Sequence, residues 1–408
     1  MEFIGHFRRL TPVQRNTFIA CFLGWSLDAF DFFILTFCVS AIATQFQAKI
    51  SAVADAIFLT LAMRPVGAFL FGMMADRFGR RVTLMIDIIA YSVFELGSAF
   101  APSLRSLLIM RALFGVAMGG EWGVGAALAF ETLPAEGRGF FSGLLQEGYA
   151  VGYLIAALVY GTIFPWVGWR GMFVVGALPA FLVIYIRTKV DESPAWLQGK
   201  VSRHAESLIG NDILTYAGTF LFLVALMFCF NSFSHGSQDL YPTFIQKDHH
   251  YTPQTVSFIA IIANLGALLG GVCFGTWSER IGRRKAIVIA ALLAIPVIPL
   301  WAYSHSVPML ALGGFLMQFM VQGAWGVVPA HLNELSPSAV RGTFPGFAYQ
   351  LGNLLASWNI KVQTRLVEQR FGGLFAPVMA WTVLIIATLV ALVTWSGREL
   401  RGRDLSVT

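Results

Sequence analysis

Asn231, His235 and Asp239 recur at a spacing of four, and Gln238 follows His235 by three. On a helix these side chains stack on one face. A His–Asp pair at that spacing can bind and release one proton near neutrality, because imidazole titrates there and the carboxylate adjusts to its partner. The plainer alternative is a fixed hydrogen bond from His235 to Asp239. Four polar side chains on one face favour the ionisable reading. Asp28 and Asp31, three apart, share another face and are further candidates for carrying a proton, Asp31 before Asp28. Arg64 offers a planar guanidinium that grips a carboxylate with two parallel hydrogen bonds. Its alternative is a fixed ion pair to Asp28 or Asp31. Gln350 and Asn353, again three apart, supply amides suited to a hydroxyl or keto oxygen. These residue types handle an anion and a proton and need break no covalent bond. Arg111 and Glu121, ten apart, project from a helix at nearby angles but about 15 Å from each other; Arg111 reads as structural.

The chain that must position them has 408 residues, 57% hydrophobic and only 12% charged. A soluble domain carries roughly 25% charged residues. So few charges cannot cover a water-soluble globule of this length, which excludes soluble, disordered and nucleic-acid-binding classes. The 40 glycines suit closely packed membrane helices. Cys21, Cys38, Cys229 and Cys273 lie in apolar runs without metal-ligand spacing and read as small buried hydrophobes. No metal or other cofactor is expected. The polar, basic N-terminus lacks the pattern of a cleaved signal peptide.

A bilayer-crossing helix needs roughly 20 mostly apolar residues. Twelve such stretches are present, at about 16–44, 53–75, 83–101, 104–130, 139–162 and 168–187, then 213–246, 254–278, 286–304, 307–333, 342–366 and 374–396. These are spans one to twelve. The predicted fold class is an all-α membrane protein of twelve transmembrane helices, with a six-helix half at 1–187, a linker at 188–212 and a second half at 213–408. No soluble catalytic domain fits, so the chain is not read as an enzyme. An even number of spans leaves both termini on one side. That side holds 19 of the 28 Lys and Arg, the opposite side seven, and Arg64 and Arg111 fall inside spans. The basic side is expected to be cytoplasmic, in a plasma or inner membrane. A surface-lying amphipathic protein is excluded because most stretches are apolar all round.

The halves repeat. Gly72, Asp76, Arg77, Gly79 and Arg80 recur 203 residues later as Gly275, Glu279, Arg280, Gly282 and Arg283. Glu131 and Arg138 recur at the same offset as Glu334 and Arg341, and Trp122 as Trp325. A basic cluster at these loops also orients the chain. Duplicated with its acid and glycines in register, it reads as a conformational latch, whose carboxylates and arginines pair in one arrangement of the halves and separate in the other.

The Gly-x-x-x-Asp-Arg-x-Gly-Arg-Arg loop after span two, repeated after span eight, resembles the signature of the major facilitator superfamily. Arg111-x-x-x-Gly115 followed by Gly119 is similar to that superfamily's fourth-span motif. The resemblance covers essentially the whole chain and implies two six-helix halves around a central cavity. Within it, Asn231, Ser234, His235, Ser237, Gln238, Asp239 and Thr243 match the pattern of lactate/pyruvate–proton permeases of the sialate:proton symporter branch. Gln350 and Asn353 resemble that branch's span-eleven substrate pair, and Arg64 its buried substrate-facing arginine. The resemblance implies proton-coupled symport of a small monocarboxylate by alternating access. It assigns Arg64, Asn231, Gln238, Gln350 and Asn353 to substrate, and His235, Asp239, Asp31 and Asp28 to the proton. A small carboxylate is anionic at neutral pH, so Arg64 supplies its counter-charge and the proton balances the translocated charge. The alternatives are symport of sialic acid or a larger aromatic acid, and a non-transporting sensor on a carrier scaffold. Expected partners are the carboxylate, the proton and the lipid bilayer, without nucleic acid, and the carrier is expected to act as a monomer.

Overall fold

In a computed structural model, residues 10–133, 141, 144–197, 216–336 and 344–400 are described. Among them regular structure is helical, without strands. Among the described residues, nine helices are long and apolar enough to cross a bilayer alone, and Phe164–Val175 with Leu178–Lys189 forms a bent tenth. Gly148–Thr162 and the broken pair Phe344–Ala356 and Trp358–Gln369 occupy the places of spans five and eleven. The protein is therefore an integral all-α membrane protein, and the element order follows the twelve expected spans.

Local chemistry starts these helices where the sequence changes character. Thr11 caps span one (Pro12–Gln45) in a reciprocal box with Gln14, and Pro12 fills the first turn, where no N–H donor is needed. Thr252 caps span eight, Pro253–Ile281, by accepting from the Thr255 backbone N–H, and Pro253 again fills the first turn. Spans two and eight, Ile50–Phe78 and Pro253–Ile281, have bounds displaced by the repeat offset of 203, as do spans four and ten, Leu104–Thr132 and Val307–Leu335. The repeat seen in a few residues thus extends to whole helices.

Small residues let the paired helices touch. A Cβ on Gly119 would fall 2.0 Å from the Arg64 carbonyl oxygen, and one on Gly270 would fall 2.1 Å from that of Phe319. Spans two and four, and spans eight and ten, thereby pack backbone to backbone. Cys21, Cys38 and Cys229 are buried as expected, but Cys273 is exposed on the outer surface of span eight. An apolar run alone does not say which of its faces meets lipid.

Gly79 and Gly282 make the repeated turns between spans two and three and between eight and nine. Their φ values are +99° and +101° with extended ψ, a region open to glycine alone. A Cβ at Gly79 would also fall 2.3 Å from a carboxylate oxygen of Glu192. Gly79→Ala should therefore lower stability by roughly 1–3 kcal/mol, read as a lower melting temperature of the purified protein in detergent. An unchanged melt would show that the turn relaxes freely.

On the side away from the chain ends, span two of the first half is tied to span eleven of the second. Glu368 accepts from the Ser51 backbone N–H at 2.9 Å and from its hydroxyl at 2.7 Å. Lys361 pairs with Asp55 at 3.2 Å and lies over the Phe58 ring, which packs edge-on against Trp358.

Candidate transport site

Span seven is built in two pieces, Ala217–Gln238 and Tyr241–Asp248. Pro242, in the first turn of the second piece, has no N–H to continue the hydrogen-bond ladder. Amides from span eleven serve carbonyls near this break: Asn359 donates to Ser232 and Gln363 to Gly236. The polar face is sealed from lipid, with Asn231, His235, Gln238 and Asp239 all buried. His235 Nδ1 lies 3.0 and 3.2 Å from the two Asp239 carboxylate oxygens. Gln238 turns to donate to the Ser234 hydroxyl at 2.9 Å, which also accepts from Gln322 of span ten at 3.2 Å.

A narrow cavity of about 40 Å³ runs between the halves, lined by Gln146, Glu147, Tyr149 and Ala150 from the first and by Asn231, Ser234, His235, Gln322, Trp325, Gly326 and Tyr349 from the second. Asn231 and His235 thus meet the cavity, and Asp239 stands behind His235. At about 10–15 Å³ per water, this space has room for roughly three waters. Phe32 of span one meets His235 edge-on at 5.8 Å, joining the halves beside the cavity.

Arg64 is fully buried next to Pro65 and lies one aromatic layer from the cavity lining. Its guanidinium carbon is 5.9 Å from the Trp25 ring and 5.6 Å from the Tyr349 ring. None of its three guanidinium nitrogens has a hydrogen-bond partner among the described residues. The fixed ion pair to Asp28 or Asp31 is therefore not formed, and both carboxylates are also fully buried without such partners. Gln350 and Asn353 are buried, but the Asn353 amide is 3.4 Å from the Gln350 oxygen and neither lines the cavity.

Two acids of span three went unread in the sequence. Glu95 forms the ion pair of Arg111, both fully buried, which bears out the structural reading of that arginine. Asp87 lies two turns before Glu95 and is equally buried. The signal was available: both are charges inside an expected span, which are costly there and rarely idle. The cavity-lining Gln322 could have been found the same way. Its neighbours Trp325 and Tyr349 carry no such mark.

At the side of the chain ends, Arg80 meets Glu131 at 3.3 Å, and Arg283 meets Glu279 at 2.7 Å and Glu334 at 3.3 Å. These pairs stay within their own halves. Glu192, missed in the sequence, accepts from the Arg80 and Arg81 backbone N–H groups, and Glu399 does so from Arg284. Each caps the start of the following helix beside its positive-φ glycine. Gly72 has open space around it, whereas a Cβ on Gly275 would come 3.3 Å from the Gly326 carbonyl oxygen. Arg138, Arg341 and the side chain of Asp76 lie outside the described residues, and Arg77 and Arg280 end their helices.

Paired helical repeats around a narrow polar cavity, with a buried guanidinium and a buried His–Asp pair beside it, have the form of a membrane carrier. The sequence profile described as "Sugar (and other) transporter" matches residues 16–209 and 204–393. The chain belongs to this family of the major facilitator superfamily. The chain is 27% identical to a carboxylic acid transporter protein homolog of Saccharomyces cerevisiae, over 99% of this chain and 71% of that protein. It is 29% identical to a probable 4-methylmuconolactone transporter of Cupriavidus pinatubonensis, over 86% and 83%. It is 28% identical to a sialic acid transporter of Escherichia coli, over 92% and 88%. In fold it matches the partially occluded, inward-open xylose transporter of E. coli with a TM-score of 0.78 at 20% identity, over 96% of this chain and all of the other.

Proposed function

We propose that the protein is a proton-coupled symporter of small monocarboxylates such as lactate and pyruvate. The observation that carries this reading is the buried His235–Asp239 pair at the cavity edge, with the Arg64 guanidinium, which has no hydrogen-bond partner among the described residues, one aromatic layer away. Arg64 takes the substrate carboxylate. Asn231, Gln238, Gln350 and Asn353 serve its remaining oxygens once the cavity opens, and the proton rides on His235–Asp239, with Asp31 and Asp28 as the other carriers. The arginine–carboxylate turns act as conformational latches, each within its own six-helix half, 1–187 or 213–408, the halves being joined by 188–212. The termini face the cytoplasm from a plasma or inner membrane, and one chain suffices for transport.

A second reading is a larger or aromatic acid. It is favoured by the stack of Trp25 on Tyr149 at 5.6 Å and by Trp122 and Trp325 against Tyr349 at 5.7 and 6.0 Å, which offer flat apolar walls beside Arg64. The names of the relatives, from carboxylic acid to sialic acid and muconolactone, span both readings. Uptake of labelled lactate, pyruvate, sialic acid and nicotinate into proteoliposomes under an imposed pH gradient separates them. An inward proton gradient should drive accumulation of lactate or pyruvate. Accumulation that ignores the pH gradient and follows sodium would defeat the proton reading, and uptake of the larger acids alone would select the second.

A further inference from the structure

Glu147 of span five has no part in the cycle proposed above, yet it lines the cavity. It belongs to the first half and reaches the second, where a Cβ on Gly271 of span eight would fall 2.8 Å from one of its carboxylate oxygens. The scaffold does not require an acid here. Gln146 and Gly148 recur 204 residues later as Gln350 and Gly352, and at that offset Glu147 corresponds to Leu351. A carboxylate within a span is costly and rarely idle.

Glu147 forms no ion pair among the described residues. Span eight passes it with Gly270, Gly271 and Val272, and span ten adds Gln322 and Gly326 to the same wall. Span one meets the adjoining part of span five through Trp25, Ser26 and Ala29, and its acids Asp28 and Asp31 are buried away from the cavity. Arg170 of span six is bonded to the Ala99 and Ala101 carbonyls, and Arg64 stands behind the Tyr349 ring. The other titratable groups of the wall are Tyr149, Tyr349 and His235.

Depth separates the acid from the imidazole. Span seven starts on the side of the chain ends at Ala217, and His235 lies about 27 Å along it. Span eight ends on that side at Ile281, and Gly271, at the level of Glu147, lies about 15 Å from it. Span ten agrees, since Gly326, packed on the Gly271 carbonyl, is about 14 Å from Leu335. Glu147 thus stands between the His235–Asp239 pair and the side of the chain ends. The cavity between them has room for roughly three waters. In file, their four hydrogen-bond steps of about 2.8 Å cover the difference of about 12 Å.

We infer that Glu147 is the exit relay for the coupled proton. His235 Nδ1 is held by Asp239, so the proton leaves from Nε2: that N–H bond breaks, water in the cavity passes the proton on, and an O–H bond forms on the Glu147 carboxylate. Glu147 then releases it to water on the side of the chain ends as the halves part at Gly271. This rests on the proton being carried by His235–Asp239.

The test uses the full chain and labelled lactate, with pyruvate, nicotinate and sialic acid as further probes. In proteoliposomes under a proton gradient, Glu147→Gln should lower net uptake at least tenfold while counterflow stays within twofold of wild type. Glu147→Asp, which still titrates, should keep most of the net uptake. Calorimetry in buffers of different ionisation enthalpy separates relay from carrier. Glu147→Gln should bind the anion with wild-type affinity and take up as many protons per anion as wild type, whereas Asp239→Asn takes up fewer. Wild-type net uptake in Glu147→Gln, or an affinity lowered tenfold, would overturn the relay and leave the symport reading intact. So would an aspartate variant as slow as the glutamine one, since shape and not titration would then be at stake. Proton uptake lost in Glu147→Gln but kept in Asp239→Asn would overturn the relay and the role given to His235–Asp239 together. Binding without proton uptake in the wild type, or no binding by any of the four acids, would overturn both the relay and the symport reading.

Discussion

Asp239→Asn should reduce concentrative uptake under a proton gradient at least tenfold while counterflow of labelled substrate survives. The amide keeps the size of the side chain and its hydrogen bonding but cannot titrate. Both Asp239 oxygens lie within 3.2 Å of His235 Nδ1, so the variant removes the charge that shares the proton without opening a hole in span seven. Exchange at equilibrium moves a loaded carrier back and forth and needs no proton release. Net uptake needs the empty carrier to return discharged, and a site that cannot titrate blocks that step. His235→Gln should show a milder form of the same split, because the proton belongs to the pair and not to either member. Asp31→Asn is the comparison that matters. If it loses concentrative uptake while Asp239→Asn keeps it, the coupling site lies on span one and the role given to Asp239 is wrong.

Arg64→Gln should weaken anion binding by about 2–5 kcal/mol, the usual loss when one partner of a buried charge pair is removed, or roughly 30-fold to several thousand-fold in Kd. Folding should suffer far less. Arg64 makes no hydrogen bond to a described residue, and the matching position in the second half is Ala267 within an equivalent helix. A structural arginine would give the opposite outcome, poor yield or a lowered melt with binding intact in what survives. Isothermal titration and thermal unfolding on the same preparation distinguish the two. Well-folded Arg64→Gln with near-normal affinity would remove Arg64 from the substrate site.

Helix positions and the repeat were legible because each has a strong local mark. Twenty apolar residues have few other uses, and Gly79 with Gly282 occupies backbone conformations that only glycine adopts. Inside the spans the sequence marks polar residues and little else. His235 and Asp239 were visible as a pair because four residues make one helical turn. Gln350 and Asn353 were visible for the same reason, yet that spacing lets them bond to each other rather than face the cavity. Tyr149, Trp325 and Tyr349 line the cavity without any such sign. In a helix that is apolar on every side, an aromatic facing lipid and one facing substrate carry the same hydropathy. The same degeneracy misplaced Cys273. Which acid serves which arginine was legible only in three dimensions, since Arg111 finds Glu95 on a neighbouring helix.

The tie between Ser51, Asp55, Lys361 and Glu368 sets the scale of the work done at each turnover. An exposed ion pair contributes about 0–1 kcal/mol, a lysine over an aromatic ring about 0.5–2 kcal/mol, and an acceptor at a helix start about 0.5–2 kcal/mol. Together they amount to a bolt of a few kcal/mol across the far mouth of the pathway. Reversing a two-state balance from 1:99 to 99:1 takes about 5.5 kcal/mol. A bolt much lighter than that would let the empty pathway fluctuate open. A much heavier one could not be drawn by the binding of a single substrate molecule. Built from surface-grade contacts at Lys361 and Glu368, it falls where cargo can move it, and added salt, which screens its charges, should speed its opening.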